Sequence, residues 1–188
     1  MKSKDFASRW HARSYVDAYV HFTRGVEFDG SAWARRLRSG AEDTVVDLGC
    51  GEGKLLIALA PYVKRGIGVD VSGISLDYAR RNLAAAHVRN VELIERDFRR
   101  LELPARTVNA FVSLAALHHV PDEEKAVILA NSKSALCPGG LLHIEDDTFN
   151  FPPERFDEMV PANVPRVRGP FWSSRLGIHE DQSRGRGL

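Results

Sequence analysis

Residues 45–55 read Val-Val-Asp-Leu-Gly-Cys-Gly-Glu-Gly-Lys-Leu, an apolar stretch that runs into three alternate glycines. A short β-branched run bounded by glycine is typical of a buried strand, and a helical pattern begins after the last glycine. Glycine lets the backbone turn tightly and approach a ligand, while the first turn of a helix leaves N–H donors unused. The stretch therefore predicts a strand, a binding turn and a helix start.

The spacing of this turn argues against two common phosphate-binding motifs. A dinucleotide fingerprint would need its third glycine at position 54, where Lys54 stands. A P-loop would need glycine at position 48 and Ser or Thr at position 55, where the chain has Leu48 and Leu55. Asp47 and Glu52 would also repel a pyrophosphate, whereas they suit a ligand that carries ammonium and sulfonium charges. An oxidoreductase with a dinucleotide cofactor is therefore disfavoured.

After position 40, short β-branched runs alternate with helical stretches, which is typical of βαβ units in a parallel sheet. The predicted strands are Thr44–Leu48, Gly66–Val71, Val91–Glu95, Val108–Leu114 and Leu141–Glu145. The predicted helices between them are Gly53–Val63, Ser75–His87 and Asp122–Leu136. The expected fold class is α/β, a Rossmann-like, open and mostly parallel sheet with helices on both faces.

The segments on either side of this core have different patterns. Helices are predicted over Phe6–Arg24 and from an N-cap at Ser31 to a C-terminal glycine at Gly40. Residues 1–40 would form a substrate-side cap or pack on the core, and residues 41–148 would form the binding core. Prolines interrupt every window after Phe149, so residues 149–188 are predicted as loop that grades into disorder.

Five motifs follow one another between Thr44 and Glu145. They are Val-Val-Asp-Leu-Gly-Cys-Gly-Glu-Gly at 45–53, Gly-Val-Asp-Val-Ser at 68–72, Arg-Asp-Phe at 96–98, Leu-His-His-Val at 117–120 and Leu-Cys-Pro-Gly-Gly at 136–140. In this order they resemble the motif series of class I S-adenosylmethionine (SAM) dependent methyltransferases. The resemblance implies SAM as cofactor and methyl transfer to an acceptor as the reaction.

The resemblance also implies which residues would bind SAM. The positions are Asp47, Gly49, Cys50, Gly51, Asp70, Val71, Asp97 and Phe98. Asp47 and the glycine backbone would hold the amino-acid end, Asp70 the ribose, and Asp97 with Phe98 the adenine. Asp70 lies at the end of the next predicted strand, about 21 residues after Gly49, where a βαβ nucleoside site has an acid for the ribose hydroxyls. Structural roles stay open: Asp47 or Asp70 as a cap, Phe98 as plain core.

Catalytic candidates lie at the end of the fourth predicted strand, where open α/β sheets bind ligands. His118 and His119 are weak candidates, because methyl transfer from a sulfonium requires alignment more than a base. The acids at 145–147 could supply metal ligands, but a solvated cluster at a strand end is the commoner explanation. No metal is predicted.

The seven-stranded sheet that the resemblance implies is longer than the predicted elements can supply. The last strands would be missing, and such an edge favours association with a partner chain or a second copy. Gly169–Arg175 could contribute one strand or a substrate-side cap. The alternative hypothesis is a truncated or partner-dependent SAM-binding protein without turnover of its own.

Composition sets limits on partners. Lys and Arg number 26 against 25 for Asp and Glu, and this balance gives no strong field for nucleic acid. The segment Leu114–His119 also differs from the Asp/Asn-Pro-Pro-aromatic segment of methyltransferases that modify base amino groups. We therefore expect a small-molecule acceptor. Two cysteines without metal-site spacing and no long apolar run predict a cytoplasmic protein that is not in a membrane.

Overall fold

A single parallel sheet forms the centre of the fold in the computed structural model, which describes residues 6–146. Its five strands lie in the order β3-β2-β1-β4-β5, and every pairing is parallel. The strands are β1 (Thr44–Leu48), β2 (Arg65–Asp70), β3 (Val91–Glu95), β4 (Val108–Leu114) and β5 (Leu136–Glu145). In register, Asp47 lies between Gly68 of β2 and Val112 of β4. The order places β1 in the centre, with the glycine turn at its carboxyl end.

In the described part of the chain, five α-helices surround this sheet. They are α1 (Arg13–Thr23), α2 (Gly30–Arg36), α3 (Lys54–Leu59), α4 (Gly73–Ala85) and α5 (Asp122–Ala135). Short 3-10 helices cover Phe6–His11, Ala60–Tyr62, Phe98–Arg100 and Leu117–His119. Within residues 6–146 no helix combines the length and apolar character that a membrane span needs.

The two faces of the sheet bury separate apolar clusters, because successive side chains of a strand point to opposite sides. One cluster joins Val46 and Phe111 to Ile128 of α5. The other joins Val45 to Leu37, which follows α2, and to Leu59 of α3. The prediction of an α/β, Rossmann-like parallel sheet with helices on both faces is therefore confirmed.

Three predictions about the N-terminal helices are wrong in detail. The helix predicted over Phe6–Arg24 is broken at Ala12, whose backbone is extended. The cap of α2 is Asp29, whose carboxylate accepts from the Ala32 N–H at 3.0 Å, while Ser31 donates its hydroxyl to that same carboxylate. Gly40 is not the C-terminal glycine either, because the left-handed residue after α2 is Arg38.

Strand β5 begins earlier than predicted. The strand was predicted over Leu141–Glu145, whereas Pro138, Gly139 and Gly140 also lie within it. The pairing with β4 shifts register between Val108 and Ala110, and Gly139 has a positive φ of 81°. A proline is tolerated here because β5 is the last strand of the order, so one side of it lacks a strand partner within residues 6–146.

The predicted segment boundaries stay predictions. Met1–Asp146 form one compact unit, and the limits at 40 and 148 are not tested by it. The predicted tail at 149–188, with the candidate strand Gly169–Arg175, lies outside the described residues. Residues 6–146 hold five strands, fewer than the seven that the resemblance implies.

Gly68 of β2 gives a first testable prediction about packing. A Cβ at this position would lie 2.8 Å from Cys50 Sγ, Leu56 Cδ1 and Leu93 Cδ2. We expect Gly68→Ala to lower the Tm by about 3–10 °C, because overpacking a filled core costs about 1–3 kcal/mol. Thermal unfolding followed by circular dichroism measures this. Gly25→Ala, where a Cβ would meet nothing within 4 Å, is the control.

Candidate functional site

The glycine turn after β1 folds back over the end of β2. The N–H groups of Gly49 and Cys50 donate to the Val69 carbonyl at 2.8 and 3.1 Å. Gly49 and Gly51 both have positive φ angles, 82° and 53°. A Cβ on Gly49 would lie only 2.4 Å from Ala116 Cβ, whereas a Cβ on Gly51 would point into open space. Gly49 is thus required by packing, and Gly51 leaves one side of the turn free for a ligand.

Asp70 lies directly beneath this turn. Its carboxylate accepts from the Gly51 N–H at 2.9 Å and from the Ser72 N–H at 2.8 Å. Burial raises the pKa of Asp70, although these backbone hydrogen bonds act against the rise. Ser72, not Asp70, caps α4, because its hydroxyl accepts from Ser75 N–H at 3.1 Å. The structural role considered for Asp70, helix capping, is therefore excluded.

Asp47 is a second buried carboxylate, at the end of β1, and only 4% of its surface is exposed. Burial, with the nearby Asp70 carboxylate, raises the pKa of Asp47 to about 7. Within the described part of the chain no group donates a hydrogen bond to it, whereas a turn-capping role would require one. A buried carboxylate is costly unless a cation or a donor stabilises it, so this position suits a cationic ligand.

Glu52 does not add a free charge to the site, contrary to the expectation from the sequence. Its carboxylate accepts from the Thr23 hydroxyl at 2.8 Å and from Lys54 Nζ at 3.1 Å. Lys54 also donates to the Thr23 carbonyl at 2.5 Å. These three side chains attach the end of α1 to the glycine turn. The charge selectivity of the site therefore rests on Asp47 and Asp70.

The remaining predicted SAM-binding residues lie around the same edge in different settings. The thiol of Cys50 points into the core against Leu56 and Leu76, where burial raises its pKa, so only its backbone belongs to the turn. Val71 follows β2 and is half-buried. Phe98 packs against the core but also reaches within 3.8 Å of the Cβ position on Gly49. Phe98 thus has the core role that was considered for it, and it also contacts the turn.

Asp97 is held by an arginine that the sequence analysis did not single out. Arg99 Nε donates to both carboxylate oxygens at 2.9 and 2.7 Å, and its NH1 reaches Glu124 at 2.6 Å. Partial burial acts to raise the pKa of Asp97, but the Arg99 bonds and charge outweigh it and hold the pKa below its usual value. Asp97 therefore stays ionised.

The two histidines lie in the 3-10 helix that follows β4. His118 Nδ1 lies 2.6 Å from Asp146 Oδ1, and the His118 N–H donates to Asp146 Oδ2 at 2.8 Å. The His119 ring lies 3.9 Å from the His118 ring and 5.4 Å from the Trp10 ring. Burial first, and then His118, lower the pKa of His119 to about 4. His119 is therefore neutral at pH 7.

The acidic cluster at the end of β5 has two described members: the expectation of a solvated cluster holds for Glu145, whose side chain is 47% exposed, and is wrong for Asp146. Asp146 is bound by His118 and its side chain is 10% exposed. Glu145 contacts Arg36 at 2.5 Å and His143 at 3.0 Å. The third member, Asp147, lies outside the described residues.

Aromatic side chains from the N-terminal segment cover this edge of the sheet. Trp10 packs edge-on against Tyr15 and Tyr19, with ring centroids 5.2 and 5.1 Å apart. The Trp10 carbonyl accepts from the Ser72 hydroxyl at 2.5 Å. Burial, and then the charges of Asp70, Glu52 and Asp47, raise the pKa of Tyr19 to about 12. The segment therefore lies over the glycine turn as well as packing on the core.

A family model described as a methyltransferase domain matches residues 45–140. The chain belongs to the methyltransferase domain family. The matched range contains the glycine turn, both buried acids and both histidines. The resemblance to class I SAM-dependent methyltransferases is confirmed, and so, at the level of the family, are the enzyme class and the cofactor.

The names of the similar proteins state different methyl acceptors, or none. An uncharacterized methyltransferase of Mycobacterium tuberculosis (strain ATCC 25618 / H37Rv) is 35% identical over 100 residues, 53% of this chain and 48% of its own. Trans-aconitate 2-methyltransferase of Azoarcus sp. (strain BH72) is 35% identical over 136 residues, 71% of this chain and 47% of its own. Shorter matches include tRNA/tmRNA (uracil-C(5))-methyltransferases. The chain spans about half the length of the curated relatives it matches first.

The fold has close counterparts among solved structures. The SAM-dependent methyltransferase of Aquifex aeolicus superimposes with a TM-score of 0.60 at 22% identity, over 76% of this chain and 79% of that one. At this identity the likeness supports the methyltransferase fold alone. The acceptor must be inferred from the site.

Proposed function

We propose that this methyltransferase-family chain binds SAM at the glycine turn and transfers its methyl group to a small-molecule acceptor. The observation that carries the proposal is Asp47, a buried carboxylate beside Asp70 with no donor among the described residues. SAM has an ammonium and a sulfonium group, so it supplies the positive charge that this pair of acids favours.

The SAM-binding residues we assign are the predicted set. Asp47 with the backbone of Gly49, Cys50 and Gly51 would face the amino-acid end, and Asp70 the ribose. Asp97, Phe98 and Val71 would border the adenine. The residues present fit such a ligand, because the space over Gly51 is open and the carboxylate of Asp70 is already held by two N–H groups.

Bound SAM would supply a methyl group on a positively charged sulfur that leaves as a neutral thioether. The protein would hold the methyl carbon in line with the acceptor and exclude water. Most of the rate enhancement would come from this alignment. The aromatic residues over the turn, Trp10, Tyr15 and Tyr19, would close the acceptor side.

A small-molecule acceptor is favoured over nucleic acid by the charge of the chain. The formal net charge is +1, which gives little general attraction for a phosphate backbone. The Azoarcus relative is named for a small-molecule acceptor and matches more of this chain than the tRNA methyltransferases do. Self-association through the edge of the sheet stays a prediction.

Asp70→Asn tests the proposed cofactor site. We expect the Kd for SAM to rise about tenfold, because a charge-assisted hydrogen bond contributes about 1.5–3 kcal/mol and the amide keeps part of it. Calorimetric titration with SAM, and with S-adenosylhomocysteine, measures the change. Asp77→Asn, an exposed acid paired with Arg80 on α4, is the matched control and should bind normally.

Turnover is then measured with purified protein, SAM and two acceptor sets, a panel of small hydroxyl, carboxyl and amino compounds and total tRNA. Methylation of a small compound supports the proposal. Methylation of tRNA alone would overturn the acceptor class, and the absence of SAM binding would overturn the proposal as a whole. SAM binding with no turnover in either set would favour the alternative of a SAM-binding protein that depends on a partner.

A further inference from the structure

His118 and Asp146 form a pair in which both carboxylate oxygens bind the same residue. Oδ1 lies 2.6 Å from the Nδ1 ring atom and Oδ2 accepts from the His118 backbone N–H at 2.8 Å. An ionised carboxylate only accepts, so the ring proton lies on Nδ1 and the lone pair on Nε2. No described residue bonds Nε2, and the side chain is 30% exposed. The pair therefore presents an oriented, accessible basic nitrogen.

This basic nitrogen belongs to the same edge of the sheet as the cofactor turn. Ala116, two residues before His118, is so close to Gly49 that a Cβ there would lie 2.4 Å from Ala116 Cβ. On the other side, the neighbouring His119 packs against Trp10, whose carbonyl is bonded by Ser72 next to Asp70. The residues on either side of His118 in the chain, Ala116 and His119, thus contact the glycine turn and the aromatic Trp10.

We propose that His118 is the general base of the reaction and Asp146 its positioning residue, and that the acceptor is a phenol or an enol. This inference rests on the proposed function. In the transfer, the acceptor oxygen forms a bond to the methyl carbon and the bond from that carbon to sulfur breaks, with its electron pair left on sulfur. The proton of the acceptor hydroxyl moves to His118 Nε2.

The choice of a phenol or enol follows from the strength of the base and from the surrounding side chains. Histidine side chains ordinarily titrate near neutral pH. General base catalysis is most efficient when the pKa values of the base and of the group that loses the proton are not far apart. A phenol with a pKa of about 10 is within reach of such a base, whereas an aliphatic alcohol is far weaker as an acid. A carboxylic acid needs no base at pH 7. The aromatic rings of Trp10 and Tyr15 match a planar acceptor.

Among the described residues, the groups that act on the two histidines come from the end of β5 and from the N-terminal segment. Asp146 faces His118 from the end of β5, and His119 beside it is neutral. Arg9, from the 3-10 helix before α1, acts on His119 from the N-terminal side.

The test compares two phenols that differ in acidity. At about pH 8, 4-methylphenol keeps its proton, since its pKa resembles the value of about 10 for tyrosine, while 4-nitrophenol is largely ionised. For His118→Ala we expect kcat/KM to fall about 100-fold with 4-methylphenol and less than about threefold with 4-nitrophenol, because only the first needs a base. Added imidazole should restore part of the rate with 4-methylphenol.

Asp146→Asn should show the same dependence on the acceptor with a smaller loss, about tenfold, since the base remains but its tautomer is no longer fixed. His143→Ala is the matched control, because His143 also pairs with a carboxylate, Glu145, outside this cluster. It should leave both rates near the wild-type values. Tm and SAM affinity are measured for every variant, so that a folding defect is recognised.

An equal fall for both phenols in a folded, SAM-binding His118→Ala protein would assign His118 a packing role and overturn the proposal. So would wild-type protein that binds SAM but methylates neither phenol, and in that case the proposed function would still stand. Failure of the wild-type protein to bind SAM would overturn the proposed function itself.

Discussion

Gly51→Val is expected to abolish SAM binding while most of the protein's stability is retained. A side chain at this position points into open space above the turn, where we place the amino-acid end of SAM, so it would occupy the ligand's volume. The positive φ of 53° adds strain of about 1–2 kcal/mol, which lowers the Tm by about 2–8 °C. We expect the Kd to rise more than about 100-fold, which is over about 2.7 kcal/mol.

Calorimetric titration of the variant with SAM measures this loss, and Gly139→Val is the matched control. Gly139 also has a positive φ, 81°, with nothing within 4 Å of its Cβ position, but it lies in β5, away from the turn. The control variant should have a similar loss of stability and normal SAM affinity. Undiminished affinity in Gly51→Val would contradict the assignment of the site.

Asp47→Asn is expected to stabilise the protein above pH 7 and to weaken SAM binding. The pKa of Asp47 is raised from 3.8 to about 7 in the folded state. The folded state therefore binds more protons than the unfolded state between these values, and the wild-type protein loses stability as the pH rises through that window. Above pH 7 the penalty for the ionised Asp47 is on the order of 4 kcal/mol. Replacing the carboxylate with an amide removes this penalty, but burial of the amide costs part of the gain.

Thermal unfolding between pH 4 and pH 8 measures the first effect of Asp47→Asn. We expect the Tm at pH 8 to rise by about 2–6 °C, with a gain that shrinks toward pH 4. Wild-type affinity for SAM should also fall below pH 7, because protonated Asp47 no longer attracts the ammonium group, whereas the variant should bind weakly at every pH. Glu123→Gln, at an exposed position, should change neither property. Equal pH profiles for Asp47→Asn and wild type would contradict a buried, uncompensated charge.

Much of the sheet could be predicted from the sequence because its strands are short and have clear local signals. The bounds of β1, β3 and β4 agree with the prediction, since each is an apolar, β-branched run between turn residues. The start of β5 could not be predicted in the same way. Its Pro-Gly-Gly segment has the composition of a turn, and only its place at the end of the strand order makes it tolerable as strand.

The candidate site could be predicted where its residues belong to one local supersecondary unit. The glycine turn and Asp70 are linked by a βαβ unit of known spacing, so their proximity follows from the sequence. The bond between His118 and Asp146 could not be found, because it joins the ends of two different strands, 28 residues apart. The role of Glu52 was misjudged for the same reason, since its partner Thr23 comes from α1, before the sheet begins.

Lys54 connects two properties that are usually considered separately. Its presence at the position of a third glycine distinguishes the turn from a dinucleotide fingerprint, and its ammonium group also bonds the end of α1. A Lys54→Gly substitution intended to change cofactor preference would therefore also remove one of the bonds between α1 and the turn, while the hydrogen bond from Thr23 to Glu52 would remain. Cofactor preference and attachment of the N-terminal segment thus share one residue, and a substitution there alters both.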